Sequence, residues 1–92
     1  MQIKLEGRLD MDRCGALARE LAGGLKVGEA LALDFSGAAT SDSAALALIL
    51  ELRRTTQEKG ASLTLRHLPR SLATLAALYG IETLIDPITE SP

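Results

Sequence analysis

Segments that alternate apolar and polar residues are separated in this chain by segments of helical periodicity, and this order restricts the chain to few fold classes. The strand-like segments are residues 1–10, 30–35 and 62–66. Strands that alternate with helices through short connections form sheets with a parallel core. We therefore predict an α/β fold.

The strand-like segments differ in character. Residues 1–10 place Ile3, Leu5 and Leu9 at alternating positions, which predicts a strand or a short hairpin that turns at Gly7. Residues 30–35 form a nearly continuous apolar run, typical of a strand covered on both faces. Residues 81–85 fit either a short final strand or a turn of helix.

Three helices are predicted. The first follows Asp10 as its N-cap, and its apolar positions are Met11, Cys14, Leu17, Ala18, Leu21 and Leu25. The second runs to about residues 59–60. The third begins near Pro69 and ends at Gly80, and residues 86–92 are predicted to be a flexible tail.

Composition excludes several functions. The chain has 92 residues, enough for one domain, with one Phe, one Tyr and no Trp, so it lacks rings on which nucleic-acid bases could stack. A net charge of −2 gives no electrostatic reason to bind nucleic acid or an anionic membrane. Five basic residues cluster, which we interpret as a solvated face: Arg53, Arg54, Lys59, Arg66 and Arg70.

The residues that could carry chemistry do not form a site. His67 is the single histidine and has no Cys, Asp or Glu at ligand spacing, while Cys14 is predicted to be a small core residue. The glycines match no phosphate-binding loop. We therefore predict no catalytic residue, no metal and no cofactor.

The sequence also predicts no signal peptide and no membrane-spanning segment. Residues 1–4 show charge and alternation where a signal peptide would be apolar, and the longest apolar run, residues 44–50, is too short to span a membrane. We expect a cytoplasmic protein without direct membrane insertion.

The most informative segment is residues 34–50, where a strand ends and the second helix begins. Ser41, Asp42 and Ser43 are all good N-cap residues, and a phosphate on a hydroxyl at a helix N-terminus would be stabilised by the helix dipole. Helix capping alone also accounts for all three residues.

The second helix has a wide apolar arc. One face is enough to cover a sheet and consists of Ala45, Leu48, Ile49, Leu52 and Thr56. Leu46 and Leu50 fall to one side of this face, next to Arg53. Such an arc indicates a surface for a partner protein, unless neighbouring loops cover the two leucines.

Several motifs together resemble the STAS domain family, which comprises the anti-sigma-factor antagonists and their relatives. The motifs are L-x-G-x-L-D at residues 5–10, the strand end at residues 34–36, and the helix start at residues 41–46. The resemblance covers about residues 3–85. Residues 46–50, 57–60 and 71–81 are most similar to the MlaB-like branch, small cytoplasmic subunits of a phospholipid ABC transporter.

The resemblance implies a STAS-like fold: a four- to five-stranded mixed sheet with a parallel core and three to four helices packed on it, as a single domain over residues 1–92. It also implies a non-catalytic role. The expected partner is the ATPase subunit of an MlaFEDB-type complex that maintains outer-membrane lipid asymmetry, which would hold the chain at the inner membrane. The alternative partner is an anti-sigma-factor kinase that phosphorylates Ser43.

The resemblance places the partner-binding surface at Ser41, Asp42 and Ser43. Helix geometry extends this surface to Leu46, Leu50, Arg53 and Arg54, with Tyr79 added from the next helix. One position departs from the family pattern, because Ala45 stands where the motif has glycine. A kinase that approaches the backbone closely would meet a methyl group there, which counts against the phosphorylation alternative.

Overall fold

The computed structural model describes residues 1–41 and 43–90 and confirms the α/β fold. Its strands are β1 (Gln2–Leu9), β2 (Ala30–Ser41) and β3 (Ser62–Arg66). Its helices are α1 (Met11–Gly24), α2 (Ser43–Glu58), α3 (Arg70–Leu78) and the short α4 (Glu82–Ile85), followed by a 3₁₀ turn at Asp86–Ile88. The predicted order of strands and helices is therefore correct.

Within these described residues the sheet has three strands in the order β1-β2-β3, and both pairs are parallel. This strand count is slightly lower than the predicted four to five and is compatible with the predicted α/β fold with a parallel core. Residues 2–9 form one strand in place of a hairpin, because Gly7 takes a positive φ of 73° at a register irregularity and the chain does not turn back. Residues 82–85 form a helical turn where a final strand was one alternative.

The pairing of β1 with β2 contains a bulge. Lys4 lies opposite Asp34, whereas Glu6 lies opposite Gly37. Between these two pairs β2 therefore contains one residue more than β1. A Cβ atom at position 37 would lie 2.9 Å from the carbonyl oxygen of Leu5, closer than side chains approach a backbone. Glycine therefore permits β2 to continue beside β1 as far as the pair Leu9 and Ser41, just before α2 begins.

Among residues 1–41 and 43–90, the helices cover one face of the sheet. Phe35, Leu5 and Leu65 are fully buried on that face and share one core with residues of α1, α2 and α3. The other face carries partly exposed positions such as Asp34 and Ala32. The prediction that β2 is covered on both faces is wrong, because the helices pack on a single side of the sheet.

Residues 86–90, which the sequence predicts to belong to a flexible tail, contact β3. The Asp86–Ile88 turn leads to Thr89, which bridges Leu65 of β3, and the backbone N–H of Glu90 donates to the carbonyl oxygen of Leu65 at 2.8 Å. The Oε2 atom of Glu90 also lies 3.1 Å from Nε of Arg66. This segment therefore closes part of the outer edge of β3. Residues 91–92 of the predicted tail lie outside the described part.

Candidate interaction surface

The start of α2 lies at the carboxyl end of the sheet. Ser41 is the last residue of β2 and Ser43 is the first of α2, while Asp42 lies outside the described residues. The side chain of Ser43 is exposed. The first turn of a helix presents backbone N–H groups without intrahelical acceptors and a partial positive charge. Ser43 therefore offers an accessible hydroxyl in a setting that favours an acceptor or an anion.

Ala45 points away from this surface. Its exposed fraction is 0%, and it belongs to the core cluster with Ile49 and Leu52. The methyl group that replaces the family's glycine hydrogen therefore faces the protein interior. The expectation that a kinase would meet this methyl group is wrong, because helix geometry turns position 45 towards the sheet while position 43 stays outside.

Leu46 is not part of an exposed arc. Only 3% of its surface is exposed, and it lies in the core, while Leu50 is half-buried and packs against the same core. The expectation that Leu46 faces a partner is thereby corrected. The physical reason is that α2 contacts both α1 and α3, so that its apolar arc is covered by helices on both flanks.

The two arginines lie further along α2, and Arg54 already has partners. Its guanidinium donates to Glu51 and, at 2.8 Å, to Oε1 of Glu58. The hydrogen bond to Glu51, with the charges of both carboxylates, raises the pKa of Arg54 above its usual value. Arg53 is half-buried beside a cavity of about 230 Å³ that Leu84 and Ile88 also line. Ten residues of helix separate Ser43 from Arg53, about 15 Å.

Tyr79 belongs to yet another region. It follows α3, with 57% of its surface exposed, next to the exposed Leu78. The structure therefore does not gather the predicted partner-binding residues into one cluster. Ser43 is at one end of α2, Arg53 and Arg54 are in its second half, and Tyr79 is on the α3 side.

The structure instead brings Ser43 together with an apolar groove between α1 and α2. The groove has a volume of about 550 Å³. Its lining consists of Met11, Cys14, Gly15, Ala18, Ser43, Ala44, Ala47, Leu48 and Glu51. Sequence reasoning missed it, although small and apolar residues recur along both helices. Helical periodicity identifies such a face without showing whether another helix fills it or leaves a groove.

Two of the apolar positions of α1 differ in burial. Cys14 is buried, as predicted. Met11, which the sequence placed at the same helical spacing, has 79% of its surface exposed. Met11 is the first residue of α1 and one of the residues that line the groove.

Over the described ranges 1–41 and 43–90, no group of three or more His, Cys, Asp or Glu side chains is placed to hold a metal ion. His67 is exposed, directly after β3, and has a φ of 55°. Among the described residues, none of the helices combines the length and apolar character that crossing a bilayer requires.

Comparison with known families gives one match. The family model described as "Mlab, STAS domain" matches residues 1–86, which extend from β1 to the end of α4 and into the following turn. A search of curated proteins found no match. Since the family model spans nearly the whole chain and the fold agrees with it, the chain belongs to the STAS domain family, in its MlaB group.

Proposed function

We propose that this chain is a non-catalytic subunit that binds and supports the ATPase of an MlaFEDB-type phospholipid-transport ABC complex, with the start of α2 as its contact surface. In this proposal the protein is cytoplasmic and is held at the inner membrane by its partner. STAS domains are protein-interaction domains and are generally non-catalytic. The MlaB description of the matching family favours the transporter ATPase as the partner.

The observation that carries the proposal is the exposed Ser43 at the first turn of α2, at one end of an apolar groove. The hydroxyl of Ser43 and the partial positive charge of the helix start can orient a partner, while the adjacent apolar groove supplies buried area. Leu46 is excluded from this surface because it lies in the core. Arg54 contributes less than expected because two carboxylates already engage it.

The test is the affinity of the purified chain for the ATPase subunit, measured by biolayer interferometry. We expect Ser43→Glu and Ala47→Glu each to weaken binding about tenfold or more, because each places a charge on the contact surface. Ser71→Glu is the matched control, since Ser71 is also exposed near a helix start, that of α3. Unchanged affinity in both α2 variants would rule out this contact surface.

A second function is favoured by the burial of Ala45. With that methyl group in the core, a kinase can approach the start of α2, and a phosphate on Ser43 would lie at a helix N-terminus. The chain would then be an anti-sigma-factor antagonist regulated by phosphorylation of Ser43.

Incubation with an anti-sigma-factor kinase and ATP, followed by intact-mass spectrometry, tests this alternative. The expected result is a mass gain of one phosphate that Ser43→Ala abolishes and Ser71→Ala leaves in place. An unmodified chain after complete consumption of ATP would exclude it.

A further inference from the structure

The groove between α1 and α2 is mostly apolar and open, and most of its lining residues are small. Cys14 and Leu48 are buried at its base, while Ala47 is exposed and Gly15 and Ala18 are half-buried along its sides. A volume of about 550 Å³ has room for side chains of another polypeptide. Short side chains on both helices permit close approach of a third helix.

The residue best suited to enter such a groove is Met11, which lies beside the groove on the same molecule. Met11 has 79% of its surface exposed and is one of the groove-lining residues. Methionine is unbranched and flexible, so it fills irregular apolar spaces well. A protruding apolar side chain beside a matching groove, on one surface of one molecule, is the arrangement that a two-fold symmetric interface requires.

The charges on α1 agree with a two-fold arrangement. Asp12 and Arg19 are both exposed and are seven residues apart, so they lie along the same side of the helix. If two copies of α1 cross antiparallel near Gly15, Asp12 of each copy comes alongside Arg19 of the other. Gly15 lies about midway between these two residues and has no side chain to hold the helices apart.

We propose that the chain forms a symmetric dimer through the α1–α2 groove, in which Met11 of each copy enters the groove of the other. This dimer does not depend on the proposed ATPase complex. Ser43 lines the same groove, however, so the two complexes use overlapping surfaces. The dimer is therefore the form of the chain when no partner occupies the start of α2.

Sedimentation velocity of the purified chain over a range of concentrations tests the dimer. We expect a concentration-dependent dimer for the wild type. Met11→Asp and Ala47→Arg should shift the chain to monomer, with at least about a tenfold rise in the dimer Kd. Val27→Asp is the control, because Val27 is 85% exposed and lies outside the groove lining. Circular dichroism verifies that each variant is folded.

A charge exchange tests the antiparallel orientation. Asp12→Arg and Arg19→Asp should each raise the dimer Kd about threefold or more, since each brings like charges together. The double variant should recover wild-type affinity, because it restores opposite charges across the interface.

Two results would overturn the dimer through this groove: a wild type that stays monomeric to its solubility limit, or a dimer unaffected by Met11→Asp. A double variant weaker than both single ones would overturn the antiparallel pairing of Asp12 with Arg19. Each readout uses the chain alone, so failure here leaves the ATPase proposal intact.

Discussion

Lys59 connects the ends of two helices. Its Nζ atom donates to the carbonyl oxygens of Ala22 at 2.6 Å and Leu25 at 2.8 Å. These carbonyls belong to the C-terminal end of α1, where residues 21–24 include no basic side chain. A positive charge at a helix C-terminus is stabilising, and here it is supplied from the end of α2.

We predict that Lys59→Met lowers the free energy of unfolding by about 1–2 kcal/mol, because it leaves carbonyl oxygens without their charged donor. Urea denaturation followed by circular dichroism measures this change. Lys26→Met is the matched control, since Lys26 is exposed, and it should change stability by less than about 0.5 kcal/mol. Equal effects of the two substitutions would show that the hydrogen bonds of Lys59 to the end of α1 add nothing to stability.

Asp34 responds to pH through its position on the open face of the sheet. The backbone N–H of Ser36 donates to its Oδ1 atom at 2.9 Å, and this bond is the main reason why the pKa of Asp34 lies below its usual value of 3.8. Partial burial opposes the shift, and the nearby charges of His67 and Lys4 support it. Because the carboxylate is favoured by folding, its contribution is present above the unfolded-state pKa and is lost as pH falls through the folded-state pKa.

We therefore predict that Asp34→Asn destabilises the chain at neutral pH, and that its difference from wild type shrinks as pH falls below about 4. Asparagine can still accept the Ser36 bond but carries no charge. Urea unfolding at pH 7, 4 and 3 would measure the convergence, with Glu20→Gln as an exposed control for the loss of one carboxylate. A difference in unfolding free energy that stays constant from pH 7 to pH 3 would contradict the lowered pKa of Asp34.

At the scale of the elements, the bulge between β1 and β2 depends on Gly37. The hypothetical Cβ atom at this position meets the Leu5 carbonyl oxygen and, at 3.0 Å, Cγ of Glu6. The carbonyl belongs to the backbone of β1, so relief of the contact would require the strands to separate. Since β2 continues from this bulge to the start of α2, the local geometry also sets the position of Ser43.

We predict that Gly37→Ala destabilises the chain by about 1–3 kcal/mol, because the added methyl group forces a backbone shift. Gly23→Ala in α1 should have the opposite sign and stabilise by up to about 1 kcal/mol, because its Cβ atom meets nothing within 4 Å and alanine favours helix. Thermal or urea unfolding of the two variants distinguishes these effects. A neutral Gly37→Ala would mean that β1 and β2 adjust without cost.

At the scale of the whole molecule, the C-terminal segment covers part of one outer edge of the sheet. The edge of β3 is partly closed by residues 86–90, through the Thr89 bridge and the Glu90 hydrogen bond, and Ile88 packs against the core. An exposed strand edge is a template for unwanted pairing with other chains. The C-terminal segment therefore contributes both packing and protection.

Removal of residues 86–92 should lower the free energy of unfolding by about 2–3 kcal/mol and increase aggregation, since it removes an apolar contact and uncovers the β3 edge. Removal of residues 91–92 alone is the control and should have little effect. Denaturation and light scattering would compare the two shortened chains. Equal stability would show that residues 86–90 only lie against the sheet.

Much of the fold could be predicted from local patterns. Asp10 caps α1 through the backbone N–H of Arg13 at 2.9 Å, as expected for an Asp before a helical period. The alternation in residues 62–66 corresponds to the bounds of β3. Of the two alternatives for residues 1–10, the single strand is correct and the hairpin is not, because a positive φ at Gly7 serves a bulge as readily as a turn.

The candidate site was less predictable. Ser43 could be identified from the capping pattern and from the family motif. Leu46 was assigned to the surface because a helical wheel shows which residues share a face but cannot show how many helices cover that face. For the same reason, the helical spacing of Met11 with Cys14 could not show that Met11 is exposed.

The sequence by itself therefore determined the order of strands and helices, the α/β class and the position of the α2 start. These features depend on periodicity, caps and motifs within a few residues of one another. Tertiary structure alone decided that Leu46 is covered, that Met11 is exposed beside a groove, and that Lys59 caps α1. Each of these outcomes depends on contacts between segments far apart in the chain, and such contacts leave no periodic signal in either segment.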